Sequence, residues 1–241
     1  MKTKLFMIAL PVFCAVQAYA QNNADAVLAA QGQQLAVTTY KNTLNIESGL
    51  YNGPLYIDYL QTLSEGNPFL DDNLQMVSGS VFYDGVLYEN EPMLYDIYKK
   101  KLIVNSPAAN IRFTLVNERI GYFIINGRHF HNIKADSIHK IPSNFYEVLF
   151  SGARITSYQL HQKTPKDDLS GRFYKIKLLD KNRFFIEKGG AIKEINRKKD
   201  VLNILNDERQ EVSQFIRKEK LRFRKNIKND LATITRFYEG L

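Results

Sequence analysis

His129 and His131, two apart in "NGRHFHNI", are the first residues whose spacing suggests chemistry. On a β-strand positions i and i+2 project from one face, so the two imidazoles can approach one metal ion. A zinc centre needs at least a third ligand, which only His139, His161 or a carboxylate supplies. The hairpin register places Tyr122, Ile124 and Ile133 on the same face. That face is therefore a packing surface, and no metal site is assigned. Ser137-Ile-His-Lys140 has the S-x-x-K spacing of serine acyl enzymes, in which a lysine one helical turn away takes the serine's proton. The companion S-D-N and K-T-G elements are missing, with only "KGG" at 188–190. Glu89, Glu91 and Asp96 are close enough in sequence to be considered as an acid–base pair across a glycosidic bond. The sequence has no G-x-S-x-G elbow, P-loop, dinucleotide fingerprint, H-E-x-x-H or EF-hand loop. No catalytic, cofactor-binding or metal residue is assigned.

The elements that would hold these residues are strands. From about Leu35 to Ile195 Tyr, Phe, Ile and Val are frequent and turn residues recur at short intervals. "LAVTTYKNTL" and "GPLYIDYL" read as the first strands. In "SVFYDGVLYE" the Asp84-Gly85 pair suits a two-residue type I′ turn, whose central positions need positive φ. Folding the stretch there pairs Tyr83 with Val86, Phe82 with Leu87 and Val81 with Tyr88. Both faces of this hairpin are apolar, which predicts a hairpin covered on both sides or a sheet that curls on itself. Asn126-Gly127 sets a second register: Ile125 with Arg128, Ile124 with His129, Phe123 with Phe130 and Tyr122 with His131. A third hairpin turns near Ser151-Gly152. After a polar linker, "HQKTPKDDLSGR", come "FYKIKLL", "RFFIE" and "AIKEI". Nine to eleven strands joined by short turns favour an antiparallel meander over a parallel sheet with crossover helices.

The chain has 14 Tyr and 15 Phe but no Trp. Without Trp, the largest flat apolar ring, an aromatic platform for sugars loses its usual residue. Tyr is a good strand former whose polar tip tolerates half-burial, so Tyr83, Tyr88, Tyr95 and Tyr98 are read as sheet packing.

Past Arg197 the period changes. Val201, Leu202, Ile204 and Leu205, then Val212, Phe215 and Ile216, recur at helical spacing, with Asn206-Asp207 as a candidate cap before Glu208. Leu221 and Phe223 alternate with Lys220, Arg222 and Arg224. A final helix sets Ile227, Leu231, Ile234 and Tyr238 in one stripe, with Phe237 beside it. Helices this short need an apolar surface to dock on, most simply the sheet.

The first twenty residues read as an export signal: Lys2 and Lys4, the apolar run "LFMIALPVFCAV", and Ala18-Tyr-Ala20 before Gln21. Cys14, the single cysteine, lies inside it. Acylation there would want a small residue before the cysteine, where Phe13 stands. Cleavage after Ala20 leaves a cysteine-free chain, which excludes disulfides and thiolate chemistry. No other segment is apolar enough to span a bilayer as a helix. The formal charge of +8 is concentrated near the end: residues 171–241 carry 19 Lys or Arg against 10 Asp or Glu. The run "RKEKLRFRKNIK", residues 217–228, is read as a docked segment with a wet basic face. An anionic surface is a candidate partner for it; nucleic acid is not expected.

"GSVFYDGVLYENEPMLYD", the mid-chain "NGRHF" and the tail "FIRKEKLRFRKN…TRFY" resemble a group of uncharacterised exported proteins of Bacteroidota-type Gram-negative bacteria, as does the signal ending at Ala20. The resemblance spans most of the chain after Ala20 and implies the compartment alone. The expected fold is α+β, mainly β: an antiparallel meander, rolled or in a sandwich, with a C-terminal helical segment. Its parts are a signal peptide (1–20), a lead-in (21–34), a β-rich body (35–195) and a basic helical segment docked on it (196–241). The expected role is a non-enzymatic envelope protein, periplasmic or outer-membrane-associated, that binds or supports another envelope component. A periplasmic hydrolase without a recognisable motif is the alternative.

Overall fold

A computed structural model describes residues 32, 47–106, 111–135, 141–169, 171, 173–223 and 226–241. By its contacts the chain divides into Met1–Gly49 and Leu50–Leu241. Of the first unit only Gly32 and residues 47–49 are described, so the strand expected at 35–44 lies outside the described residues, as does the signal.

The second unit is mainly β, as the alternating pattern requires. Ten strands form one antiparallel sheet: β2 (Val77–Tyr83), β3 (Val86–Asp96), β4 (Lys101–Asn105), β5 (Arg112–Thr114), β6 (Ile120–Ile125), β7 (Arg128–Ile133), β8 (Asn144–Ser151), β9 (Ile155–Leu160), β12 (Arg183–Lys188) and β13 (Ala191–Ile195). Their order is β13-β12-β9-β8-β7-β6-β2-β3-β4-β5. Both turn-based registers hold residue for residue, Tyr83 opposite Val86 and Ile125 opposite Arg128. Asp84, Gly85, Asn126 and Gly127 all have positive φ, as type I′ turns demand.

Three strand assignments fail. Residues 53–60 form no strand, only one bridge from Leu55 to Phe113. Tyr56 and Tyr59, three apart, both donate to Asp96, which strand alternation would forbid. The polar stretch at 161–172 is not all linker, since β10 (Lys163–Asp168) lies in it. Nor does β11 (Lys175–Asp180) continue the meander: it pairs with β10 and, in parallel, with β1 (Leu63–Glu65), forming a separate three-stranded sheet. β10 sits at that sheet's edge with solvent nearby, where charged residues and Pro165 are tolerated.

One face of the large sheet holds the main core, and Tyr146, Tyr158, Leu160 and Phe185 form a second buried cluster on the other. Tyr95, Phe123, Phe130 and Phe145 are buried together, with Phe123 stacked on Phe130 and the edge of Tyr95 against the other three. Further along, three helices cover β8, β9, β12 and β13: α1 (Lys198–Ile204), α2 (Arg209–Lys218) and α3 (Ile227–Glu239). Val201, Leu202, Leu205, Val212, Ile216, Leu231, Ile234 and Tyr238 meet Ile155, Ile186 and Ile195 there. The apolar stripes are thus buried as their period predicts. The cap differs from expectation. Asp207 gives α2 no side-chain cap and instead receives Lys188 Nζ and the Tyr238 hydroxyl, each at 2.6 Å.

The opposite face is open at β2, β6 and β7. Phe82 and Tyr122 stack there half-buried, and Leu87 remains 37% exposed. The first hairpin is therefore covered on one side only. Among the described residues no helix is long and apolar enough to cross a membrane.

Candidate functional site

His129 and His131 do share a face, opposite Ile124 and Tyr122, but it is the open one. Burial of its flank by neighbouring residues, then the charge of His129, lowers the pKa of His131. Among the described residues no three metal-donor side chains cluster. His161 belongs to the other face, since Phe130, Glu147 and Gln159 are cross-strand partners there and His161 bonds Glu147. Ser137, His139 and Lys140 lie outside the described residues.

The carboxylates do not converge. Glu91 accepts the Tyr51 hydroxyl at 2.9 Å. Asp96 is five residues further along the same strand, so it points to the opposite face. It is fully buried and accepts Tyr59 Oη (2.8 Å), Tyr56 Oη (3.2 Å) and the Lys99 backbone N–H (2.7 Å). Burial outweighs these donors and raises its pKa. Lys99 Nζ lies 3.6 Å from the centre of the Tyr59 ring. Tyr83, Tyr88 and Tyr95 are buried, and Tyr98 is half-buried beside Tyr59.

Sequence reasoning missed a buried ionic junction. Glu147, inward-facing on β8, accepts His161 Nε2–H and Lys228 Nζ, each at 2.6 Å, with Arg128 at 3.6 Å. Arg128 also pairs with Asp71. Burial pushes the Glu147 carboxyl up, but the hydrogen bonds from His161 and Lys228 outweigh it and hold the pKa below the ordinary glutamate value. Lys228 belongs to α3, so this junction fastens the start of that helix to the sheet. Its end is fastened by Glu239, which accepts the backbone N–H groups of Ala153 (2.7 Å) and Arg154 (3.1 Å). The only outward signal was a lone glutamate inside the apolar strand "FYEVLF".

These anchors predict an acid response. Hydrogen bonds from Lys188 and Tyr238 hold the Asp207 carboxyl down to about 2, from 3.8. A lowered folded pKa means stability complete above the unfolded value and lost as pH falls through the folded one. Glu147 acts in the same direction. The hydrogen-exchange protection factors of residues 227–239, corrected for the intrinsic rate at each pH, should therefore fall between about pH 4 and pH 2; unchanged protection factors across that window would refute the assignment.

One open cleft, of about 480 Å³, lies beside the small sheet, lined by Gln61, Thr62, Phe173, Tyr174, Lys175 and Ile176. Phe173 is 75% and Tyr174 63% exposed, and Leu169, across the same hairpin, is 78% exposed. The Tyr174 hydroxyl donates to Asp167 at 2.8 Å, which holds that ring upright on the rim. Exposed apolar residues gathered at a concavity with an amide and a hydroxyl nearby can bind a partner. Comparison with protein families, curated proteins and solved structures returned no match.

Proposed function

We propose that the protein is an exported, non-enzymatic component of the cell envelope that binds another envelope component through the cleft at the three-stranded sheet. The observation that carries this is the solvent-facing pair Phe173 and Tyr174 lining an open cleft, with exposed Leu169 nearby on the same hairpin. Large apolar side chains grouped at a concavity are the usual mark of an interaction site. The N-terminal pattern ending at Ala20 supports export. A hydrolase working through a carboxylate pair would need the two facing one another, and Glu91 and Asp96 stand on opposite faces of their strand.

Photo-cross-linking in intact cells tests it. A photoreactive residue at position 173 should yield one discrete adduct, while the same residue at exposed Lys134 should not. The paired change Phe173→Asp with Tyr174→Asp should cut adduct formation through a probe at Leu169 about tenfold, with the melting temperature unchanged. Equal labelling at 173 and 134 would defeat the proposal.

A further inference from the structure

Helix α2 ends in a way that is unusual for lysine. Leu221 N–H bonds Ile216 O at 3.1 Å, and Lys220 N–H bonds Arg217 O at 3.2 Å. Together these make the double closure of a Schellman motif, with the accompanying apolar contact supplied by Leu221 on the Ile216 cluster. Lys220 occupies the left-handed position, φ 53°. Glycine is the usual residue there, because a Cβ crowds the backbone. The left-handed turn ends the helix with the Lys220 side chain exposed, and Lys100 (φ 58°) is the other lysine in this conformation among the described residues.

The surroundings agree. Leu221 and Phe223 turn inward onto the helical core, and the Arg222 backbone N–H bonds Asp230. Arg217, Lys218, Lys220 and Arg222 are all exposed. Among the described residues none of the four has an ion pair or side-chain hydrogen bond. Elsewhere Arg128, Lys163, Lys177, Arg183, Lys188 and Lys228 are each neutralised by a carboxylate. Arg217 and Lys218 sit in the last helical turn and complement its dipole. Lys220 and Arg222 lie beyond that turn, where the dipole explains neither.

We infer that this turn, residues 217–222, is a docking surface for anionic phospholipid headgroups. This is a second surface, separate from the cleft and independent of what the cleft binds. Four exposed cations within six residues, against the single carboxylate of Glu219, are the pattern that attracts an anionic bilayer. The apolar side of α2 is already buried in the protein, so contact is electrostatic and salt-sensitive. Single-stranded nucleic acid is disfavoured, because stacking platforms need exposed rings and Phe223 is buried.

The test is sedimentation of the purified protein with phosphatidylcholine vesicles, with and without phosphatidylglycerol, at low and high salt. Binding should require phosphatidylglycerol and disappear at high salt. The variant R217Q/K218Q/K220Q/R222Q should bind on the order of several hundredfold more weakly, at about fivefold per charge. A control of equal charge loss, K134Q/K166Q/K193Q/K199Q, should bind nearly as well as the parent. Lys220→Gly separates function from folding: it should raise the melting temperature while weakening binding about fivefold. The inference is overturned by absent or lipid-indifferent binding, by equal loss in the two quadruple variants, or by tighter binding to duplex DNA than to vesicles at the same salt. None of these outcomes bears on cross-linking at position 173.

Discussion

Replacing Glu147 with alanine should destabilise the protein by about 3–5 kcal/mol. The figure follows from what is left behind. His161 Nε2 and Lys228 Nζ lose the acceptor that each now holds at 2.6 Å, and Arg128 loses part of its compensation. His161, nearly buried, is left without its partner at a cost greater than the pair contributed. Lys228, 39% exposed, regains part of its hydration and puts the loss toward the lower end of that range. For a body of this size the melting temperature should fall by roughly 6–20 °C, at about 2–4 °C per kcal/mol. The double change Glu147→Ala with Lys228→Ala should fall short of the summed single effects by about 0.5–3 kcal/mol, because each single change strands the other partner. Additive losses in urea denaturation would show that Glu147 and Lys228 act separately and that the start of α3 is not held by this junction.

Tyr95→Ala should be comparably severe, about 3–5 kcal/mol, since it empties the centre of the aromatic core. The ring is fully buried and touches Phe123, Phe130 and Phe145 at centroid separations of 5.3, 5.7 and 5.9 Å. Tyr95→Phe isolates the hydroxyl. That group donates to Asn144 Oδ1 at 3.1 Å, and the same oxygen already accepts the Phe145 N–H at 2.8 Å. Nothing is orphaned by its removal, so a loss of about 1 kcal/mol is expected. A large effect from Tyr95→Phe, or a small one from Tyr95→Ala, in equilibrium unfolding would place the core's centre elsewhere.

Tyr95 and Glu147 also mark where sequence was and was not sufficient. The Asp84-Gly85 and Asn126-Gly127 turns are local, and once a turn fixes register the strand period fixes every partner, Tyr122 to His131 included. The apolar stripes of the three helices were legible for the same reason. Pairing between distant segments leaves no such trace. Glu147 meets His161 across 14 residues and Lys228 across 81, and only the folded sheet brings them together. "TPKDD" carries no apolar alternation because β10 has little core to face. "GPLYIDYL" has the composition of a strand yet serves to deliver two hydroxyls to Asp96. The cleft was hidden because Phe173 and Tyr174 look like packing residues in "FYKIKLL", and only their exposure distinguishes them. Lys220 is one basic residue in a basic run until its backbone angle is known.

The parallel pairing of Leu63 with Ile176 sets a timetable for biosynthesis. A hairpin strand can zip as soon as its neighbour emerges, but β1 must wait until more than a hundred further residues have been made. During that interval its backbone amides are unsatisfied by the partner they will finally have. Joining ends so far apart also carries a larger entropic penalty than closing any of the two-residue turns. The small sheet, and the rim of Phe173 and Tyr174 that it supports, thus closes later than the hairpins at Asp84-Gly85 and Asn126-Gly127, ahead only of β12, β13 and the three helices in order of synthesis.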